Sequence, residues 1–149
     1  MKIKIGGETK DYRSIWMEDG IIRMIDQTLV PYEFKIHDCG DYQKVAEAIK
    51  TMVIRGAPAI GAAGCYGMAI AVLKKEDLKK AAQVLRATRP TAYDLFDAID
   101  FFEKKFKENT DPVRIANDYA DASAERCRKI GEVGEKLIND GARILTHCN

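Results

Sequence analysis

Residues 58–73, PAIGAAGCYGMAIAVL, contain no charged side chain. A helix that is apolar nearly all round has no face to offer water, so it belongs at the centre of a packed unit rather than on its surface. The stretch is too short and too rich in glycine to span a bilayer. The rest of the chain must therefore supply partners for it, and amphipathic helices are what the pattern offers. After Gly40 the apolar residues Val45, Ala46, Ile49, Met52 and Val53 fall on one helical stripe. A second stripe, over 76–87, turns Leu78, Ala81, Ala82 and Leu85 inward, and a third, over 92–107, turns Leu95, Phe96, Ile99, Phe102 and Phe106 inward. Short loops join these segments, as in a helical bundle.

The first forty residues read differently. Short apolar runs at 3–5, 14–17, 21–25 and 32–36 are separated by turn residues, and Glu18-Asp19-Gly20 between two of them predicts a hairpin. From Pro112 a long helical pattern runs to about Asn139. Its inner stripe of Ala116, Ala120, Ala124, Cys127, Ile130, Gly134 and Leu137 is mostly small, which implies close packing against another element. Asp140-Gly141 ends that helix, and 142–146 (ARILT) reads as a buried strand. A lone apolar strand leaves backbone groups unsatisfied, so further chain is expected after Asn149.

Charge is dense but balanced, 24 basic against 23 acidic residues. No global field draws the chain to nucleic acid or to an anionic membrane, and any bound anion must be held locally. The absence of a signal-like apolar run near the start points to the cytoplasm. Cys39, Cys65, Cys127 and Cys148 form no CxxC pair, so reduced thiols are expected. His37-Asp38-Cys39 and His147-Cys148 lack zinc-like spacing, and neither a metal nor a cofactor is expected. The aromatic run Phe96, Phe101, Phe102 and Phe106 is interleaved with Asp97, Asp100 and Glu103 and reads as core rather than as a stacking platform.

Three places have the residue types for chemistry. In 54–61, IRGAPAIG, Gly56 permits a tight turn and Pro58 suits the first turn of a helix. The free N–H groups of that helix start, with Arg55 beside them, suit a phosphate. In 88–94, TRPTAYD, Thr91 and Asp94 have capping-box spacing, which aims a second helix start at whatever Arg89 approaches. At the end of the predicted strand, THCN places Cys148 where open α/β sheets bind ligands, as nucleophile, proton carrier or polarisable contact. Each place also has a plain structural reading: a surface arginine in a connection, an ordinary capped helix, and a packed thiol.

Together these places resemble the 5-methylthioribose-1-phosphate isomerases, a family similar to ribose-1,5-bisphosphate isomerases and to regulatory subunits of the translation-initiation exchange factor. The resemblance runs through IWMEDGIIRMIDQTLVPYEF at 15–34, TMVIRGAPAIGAAGCYGMA at 51–69, TRPTAYDLF at 88–96 and IGEVGEKLINDGARILTHCN at 130–149. Exchange-factor subunits typically carry serine where Cys148 stands, and the IWMEDG hairpin and IDQTL segment look specific to the methylthioribose enzymes. The resemblance implies an α/β protein. Residues 1–112 would form a small N-terminal domain of antiparallel strands and helices, and 113–149 a connecting helix and the first strand of a Rossmann-like doubly wound domain that is mostly absent. It implies aldose-ketose isomerisation in methionine salvage by a homodimer, with a small sugar phosphate as substrate. Arg55, Gly56, Ala57 and Arg89 would contact that substrate, and Cys148 would assist the transition state. An acid/base aspartate and further phosphate contacts would lie outside this chain.

Overall fold

The computed structural model describes residues 2–5, 7–107 and 110–147. Strands β3 (Ile15–Glu18) and β4 (Ile21–Ile25) form the hairpin predicted from the sequence, with Glu18 paired to Ile21. Asp19 and Gly20 have φ of 53° and 73°, the positive values that a two-residue turn matching the strand twist requires. Strand β5 (Ile36–Cys39) adds to β4 antiparallel, Ile25 opposite Ile36 and Ile22 opposite Cys39. The apolar run at 32–36 thus becomes strand only at its last residue. The N–H groups of Tyr32 and Glu33 are used to close a turn on the Leu29 carbonyl, at 2.9 and 3.0 Å. A separate two-stranded ribbon pairs β1 (Lys2–Ile5) with β2 (Glu8–Asp11). Every residue of β2 is exposed, so no alternation in the sequence announces it.

Five helices follow among the described residues: α1 (Tyr42–Lys50), α2 (Ala57–Leu73), α3 (Leu78–Arg86), α4 (Tyr93–Lys105) and α5 (Pro112–Gly134), the last running into a 3-10 turn at Glu135–Leu137. The inward stripes of α1, α3 and α4 bury Val45, Ile49, Ala81, Leu85, Leu95, Ile99 and Phe102, as the periodicity predicts. Met52 departs from its stripe. Helix α1 stops at Lys50, and Met52, at φ 62°, turns the chain so that the Ile54 N–H reaches the Ala48 carbonyl at 3.2 Å and Ile54 is buried instead.

Helix α2 is the axis of the unit and is buried continuously from Ile60 to Ala71, packed chiefly on α4 and α5 and also on α1 and α3. Gly61, Gly64 and Gly67 each cost helix stability, roughly 1 kcal/mol relative to alanine, and each allows a close approach in return. A Cβ on Gly61 would lie 2.9 Å from the Asp94 carbonyl oxygen, one on Gly64 2.6 Å from a Leu95 methyl, and one on Gly67 3.0 Å from a Leu85 methyl.

Helix α5 divides in two. Ile115, Ala116, Tyr119, Ala120 and Ser123 are buried against the core. Beyond them the expected inner stripe is open: Ala124 and Cys127 are exposed, Ile130 is 72% exposed and Leu137 83%. The strand expected over 142–146 does not form, and those residues have no regular secondary structure. No neighbouring strand among the described residues is there to take up its N–H and C=O groups, and an unpaired strand gains nothing over irregular chain. No helix of the described residues is long and apolar enough to cross a membrane.

Candidate functional site

Helices α1, α3 and α5 start in the same way. Asp41, Asp77 and Asp111 each accept a hydrogen bond from the first turn, Lys44 N–H at 2.7 Å, Lys79 N–H at 2.9 Å and Val113 N–H at 2.9 Å. Each carboxylate satisfies orphan donors and answers the positive end of the helix dipole. Helices α2 and α4 start with no side-chain cap at all. Their N-cap residues are Gly56 and Ala92, and these are the two helices preceded by the sequence-predicted arginines, Arg55 and Arg89.

At α2 the cap position has φ 91° and ψ 127°, a backbone region open to glycine and costly for other residues. Gly56 therefore turns the chain into the helix without bringing a side chain over the helix end. Pro58 has no N–H to satisfy and fits the first turn, as predicted. Ala57 is half-buried at the helix start, and Arg55, just ahead of the turn, is exposed and forms no ion pair among the described residues.

At α4 the capping box expected from Thr91 and Asp94 is not made. The Ala92 N–H closes a turn on the Arg89 carbonyl at 3.0 Å, and Ala92, wholly buried, takes the cap position while Thr91 is exposed. Burial of the alanine decides the cap, and the helix end is left open. Arg89 Nη1 is buried without a hydrogen-bond partner among the described residues. Leaving such a donor unsatisfied is costly, more so for a charged group. By contrast Arg13, Arg23, Arg86 and Arg128 each hold a carboxylate: Asp121, Glu18, Asp100 at 2.5 Å, and Glu125 at 2.6 Å respectively.

The two open helix starts share one end of the bundle. Gly61 meets the backbone at Asp94, and one turn on Gly64 meets Leu95 and Ile99, so α2 and α4 run in the same sense. Tyr119 of α5 fixes this contact, its hydroxyl donating toward the Asp94 carbonyl at 3.3 Å and Asp97 Oδ2 at 3.2 Å. Burial first, then the Asp97 charge, pushes the Tyr119 phenol well above its ordinary range, so the hydroxyl stays a donor. A cleft of about 280 Å³ adjoins Pro58 and Ala59, walled by Ile15, Ala62 and Ala120. Neither Arg55 nor Arg89 lines it; the arginine that does is Arg13, which is paired with Asp121.

Cys148 lies outside the described residues. Arg55, Gly56, Ala57 and Arg89 stand at the two open helix starts. Sequence reading passed over Gln27, whose backbone N–H donates to the Val53 carbonyl at 2.9 Å and whose side-chain Nε2 donates to the Arg55 carbonyl at 3.2 Å.

Two helix starts without side-chain caps, each preceded by an arginine with no ion pair among the described residues, stand at one end of an α/β unit. The chain belongs to the initiation factor 2 subunit family, whose model matches residues 53–149. It is 46% identical over 143 residues to a putative methylthioribose-1-phosphate isomerase of Methanocaldococcus jannaschii, covering 95% of this chain and 44% of that protein. With the methylthioribose-1-phosphate isomerase of Aquifex aeolicus it shares 36% identity over 96% of this chain and 32% of that one. Its fold is similar to the crystal structure of 5-methylthioribose 1-phosphate isomerase from Pyrococcus horikoshii, with a TM-score of 0.80 and 33% identity over 89% of this chain and 42% of that chain. It is also similar to a structure of translation initiation factor eIF-2B, subunit delta, from A. fulgidus, with a TM-score of 0.72 and 37% identity over 88% and 43% of the two chains. The chain spans less than half the length of these relatives.

Proposed function

We propose that this chain is the N-terminal, phosphate-holding part of an aldose-ketose isomerase that converts 5-methylthioribose 1-phosphate to 5-methylthioribulose 1-phosphate. The observation that carries the reading is the pattern of helix caps. Aspartates close α1, α3 and α5, whereas α2 and α4 are left open beside Arg55 and Arg89. The first turn of α2 carries no acidic residue that would repel a phosphate; the first turn of α4 carries Asp94, which does not cap it, so α2 is the stronger of the two sites. The names of the relatives supply the substrate.

The chemistry explains why the phosphate must be held. It sits on the anomeric carbon, so the ring cannot simply open to an aldehyde, and the group must remain attached while hydrogen moves between C1 and C2. Arg55 and the N–H groups at Gly56 and Ala57 would take the phosphate oxygens in charge-assisted bonds. The buried Arg89 Nη1 would find its missing acceptor in the substrate. Cys148 would stand at the reacting carbons together with an aspartate from a Rossmann-like domain that completes the protein, and two copies would assemble as a homodimer. Exchange of the migrating hydrogen with deuterated solvent separates an enediol route from a direct hydride shift.

The test is to purify this chain, offer it methylthioribose 1-phosphate, and repeat with the remaining length of the protein supplied in trans. Turnover is expected only in the combination. Turnover by neither would remove the isomerase reading. It would favour the reading that the likeness to the exchange-factor subunit supports, a module that binds a phosphorylated ligand without converting it. Ribose 1,5-bisphosphate, offered in parallel, decides between the two isomerase substrates.

A further inference from the structure

We propose that Gln27 is a positioning residue that sets the direction of the Gly56 N–H at the mouth of α2, an inference that rests on the phosphate reading of that helix start. Thr51 and Met52 of the loop between α1 and α2 are tied back to α1, and three further hydrogen bonds hold residues 53–55. One is the Ile54 N–H to the Ala48 carbonyl at 3.2 Å; the other two come from Gln27, to the Val53 carbonyl at 2.9 Å and the Arg55 carbonyl at 3.2 Å. In a planar trans peptide the C=O and the following N–H point in opposite directions. Holding the Arg55 carbonyl toward Gln27 therefore turns the Gly56 N–H away from Gln27. Without that bond the Arg55–Gly56 peptide is free to flip, because glycine accepts either backbone conformation at little cost.

Gln27 is itself presented by a built turn. Asp26 Oδ1 accepts from the Thr28 N–H at 3.0 Å and the Thr28 hydroxyl at 2.6 Å, and the Asp26 N–H is tied to the Lys35 carbonyl at 2.9 Å. Asp26 and Thr28 shape the turn and Gln27 reaches out of it, so each polar residue of the IDQTL segment has a task. Asp26 and Gln27 are half-buried and Thr28 is exposed.

The test uses the full-length protein and methylthioribose 1-phosphate. Gln27→Met keeps the length of the side chain and removes its donor; Gln27→Glu removes the donor and adds a negative charge beside the helix mouth. Gln27→Met is expected to raise KM about tenfold with kcat changed less than about twofold, the pattern of lost ground-state binding. Gln27→Glu should raise KM further, and the inhibition constant of inorganic phosphate should rise in step in both. An unchanged KM, a loss confined to kcat, or a drop in melting temperature large enough to explain the loss in both variants would overturn the assignment. Arg55→Ala is measured alongside. If it weakens binding while Gln27→Met does not, the clamp alone fails; if neither changes anything, the phosphate reading fails with it.

Discussion

Helix α2 and the carboxyl half of α5 both display small residues at helical spacing, yet they end in opposite states. In α2 every glycine of the stripe is met by a neighbour, at 2.9 Å or closer for Gly61 and Gly64, counted from the Cβ that is not there. In α5 nothing lies within 4 Å of the same point at Gly131 or Gly134, and the apolar residues among them, Ile130, Val133 and Leu137, are each more than 70% exposed. A small-residue stripe is thus a request for a close partner. What answers the request is not written in the helix that makes it.

The largest test of this contrast cuts α5 at two places. A chain ending at Cys127 keeps the half of α5 that packs on α2, and a chain ending at Thr110 loses Ile115, Ala116, Tyr119 and Ala120 from the core. Each large apolar side chain is worth roughly 1.5–3 kcal/mol when buried, against a total stability of about 5–15 kcal/mol for a domain. The longer chain is expected to melt cooperatively near the temperature of the full 149 residues, and the shorter one to show no cooperative transition by circular dichroism. Equal melting curves would mean that α5 is no part of the packed unit.

Next in size is Gly61→Ala. Its new methyl would meet the Asp94 carbonyl at 2.9 Å and the Tyr119 ring at 3.2 Å, a helix backbone and an aromatic face that have little room to move. Overpacking of this kind costs roughly 1–3 kcal/mol, partly offset by the better helix propensity of alanine. Gly64→Ala is overlapped by the end of the Leu95 side chain at 2.6 Å, which can shift, and meets Ile99 and the Leu95 carbonyl at an ordinary 3.6 Å, so its loss should be the smaller of the two. A reversed order in thermal melts would show that α4 shifts more easily than Leu95 repacks.

Much of this was legible from the residues. The apolar run at 58–73 announces the central helix, Asp19-Gly20 the hairpin turn, and the 3.6-residue stripes the buried faces of α1, α3 and α4. These are local patterns answered by local geometry. The capping box at Thr91 failed because burial of Ala92 outweighed a hydrogen bond that Thr91 would have made at the surface, and tertiary packing is invisible to spacing. The strand over 142–146 failed for a related reason: the residues specify a strand, but a strand exists only with a neighbour. At the site, Arg55, Gly56 and Arg89 stood out by residue type. The absence of side-chain caps on α2 and α4 emerges only by comparison with the three capped helices.

Thiols report the same contrast chemically. Cys39 and Cys65 are buried in the packed unit and Cys127 is exposed on the open half of α5. Burial pushes the Cys39 thiol up to about 11 from an ordinary 9.0, and the Tyr66 phenol up to about 12 from 10.0. In both groups the neutral form is favoured by folding. Their contribution to stability is therefore complete below pH 9 and is lost as pH rises, between about 9 and 11 for Cys39 and between about 10 and 12 for Tyr66. Melting temperature should hold steady up to pH 9 and fall above it. In a Cys148→Ser background at pH 8, a thiol reagent should label Cys127 promptly and Cys39 and Cys65 only on unfolding.

The smallest effect expected is also the one that reads most directly on the open stripe. Gly131→Ala replaces a glycine inside α5 that no other group approaches, so the change should act through backbone freedom alone and stabilise this chain by up to about 1 kcal/mol. Gly134→Ala, at the last residue of the helix, should gain less. In the full-length protein the two cases separate. If the stripe that includes Gly134 is met there as closely as Gly61 is met in α2, the added methyl of Gly134→Ala collides and the small gain becomes a loss. Melting temperatures of this variant, taken in the 149-residue chain and in the full-length protein, should therefore differ in sign. The same sign in both would mean that the carboxyl half of α5 stays open even in the complete molecule, and that its resemblance to the stripe of α2 carries no structural purpose.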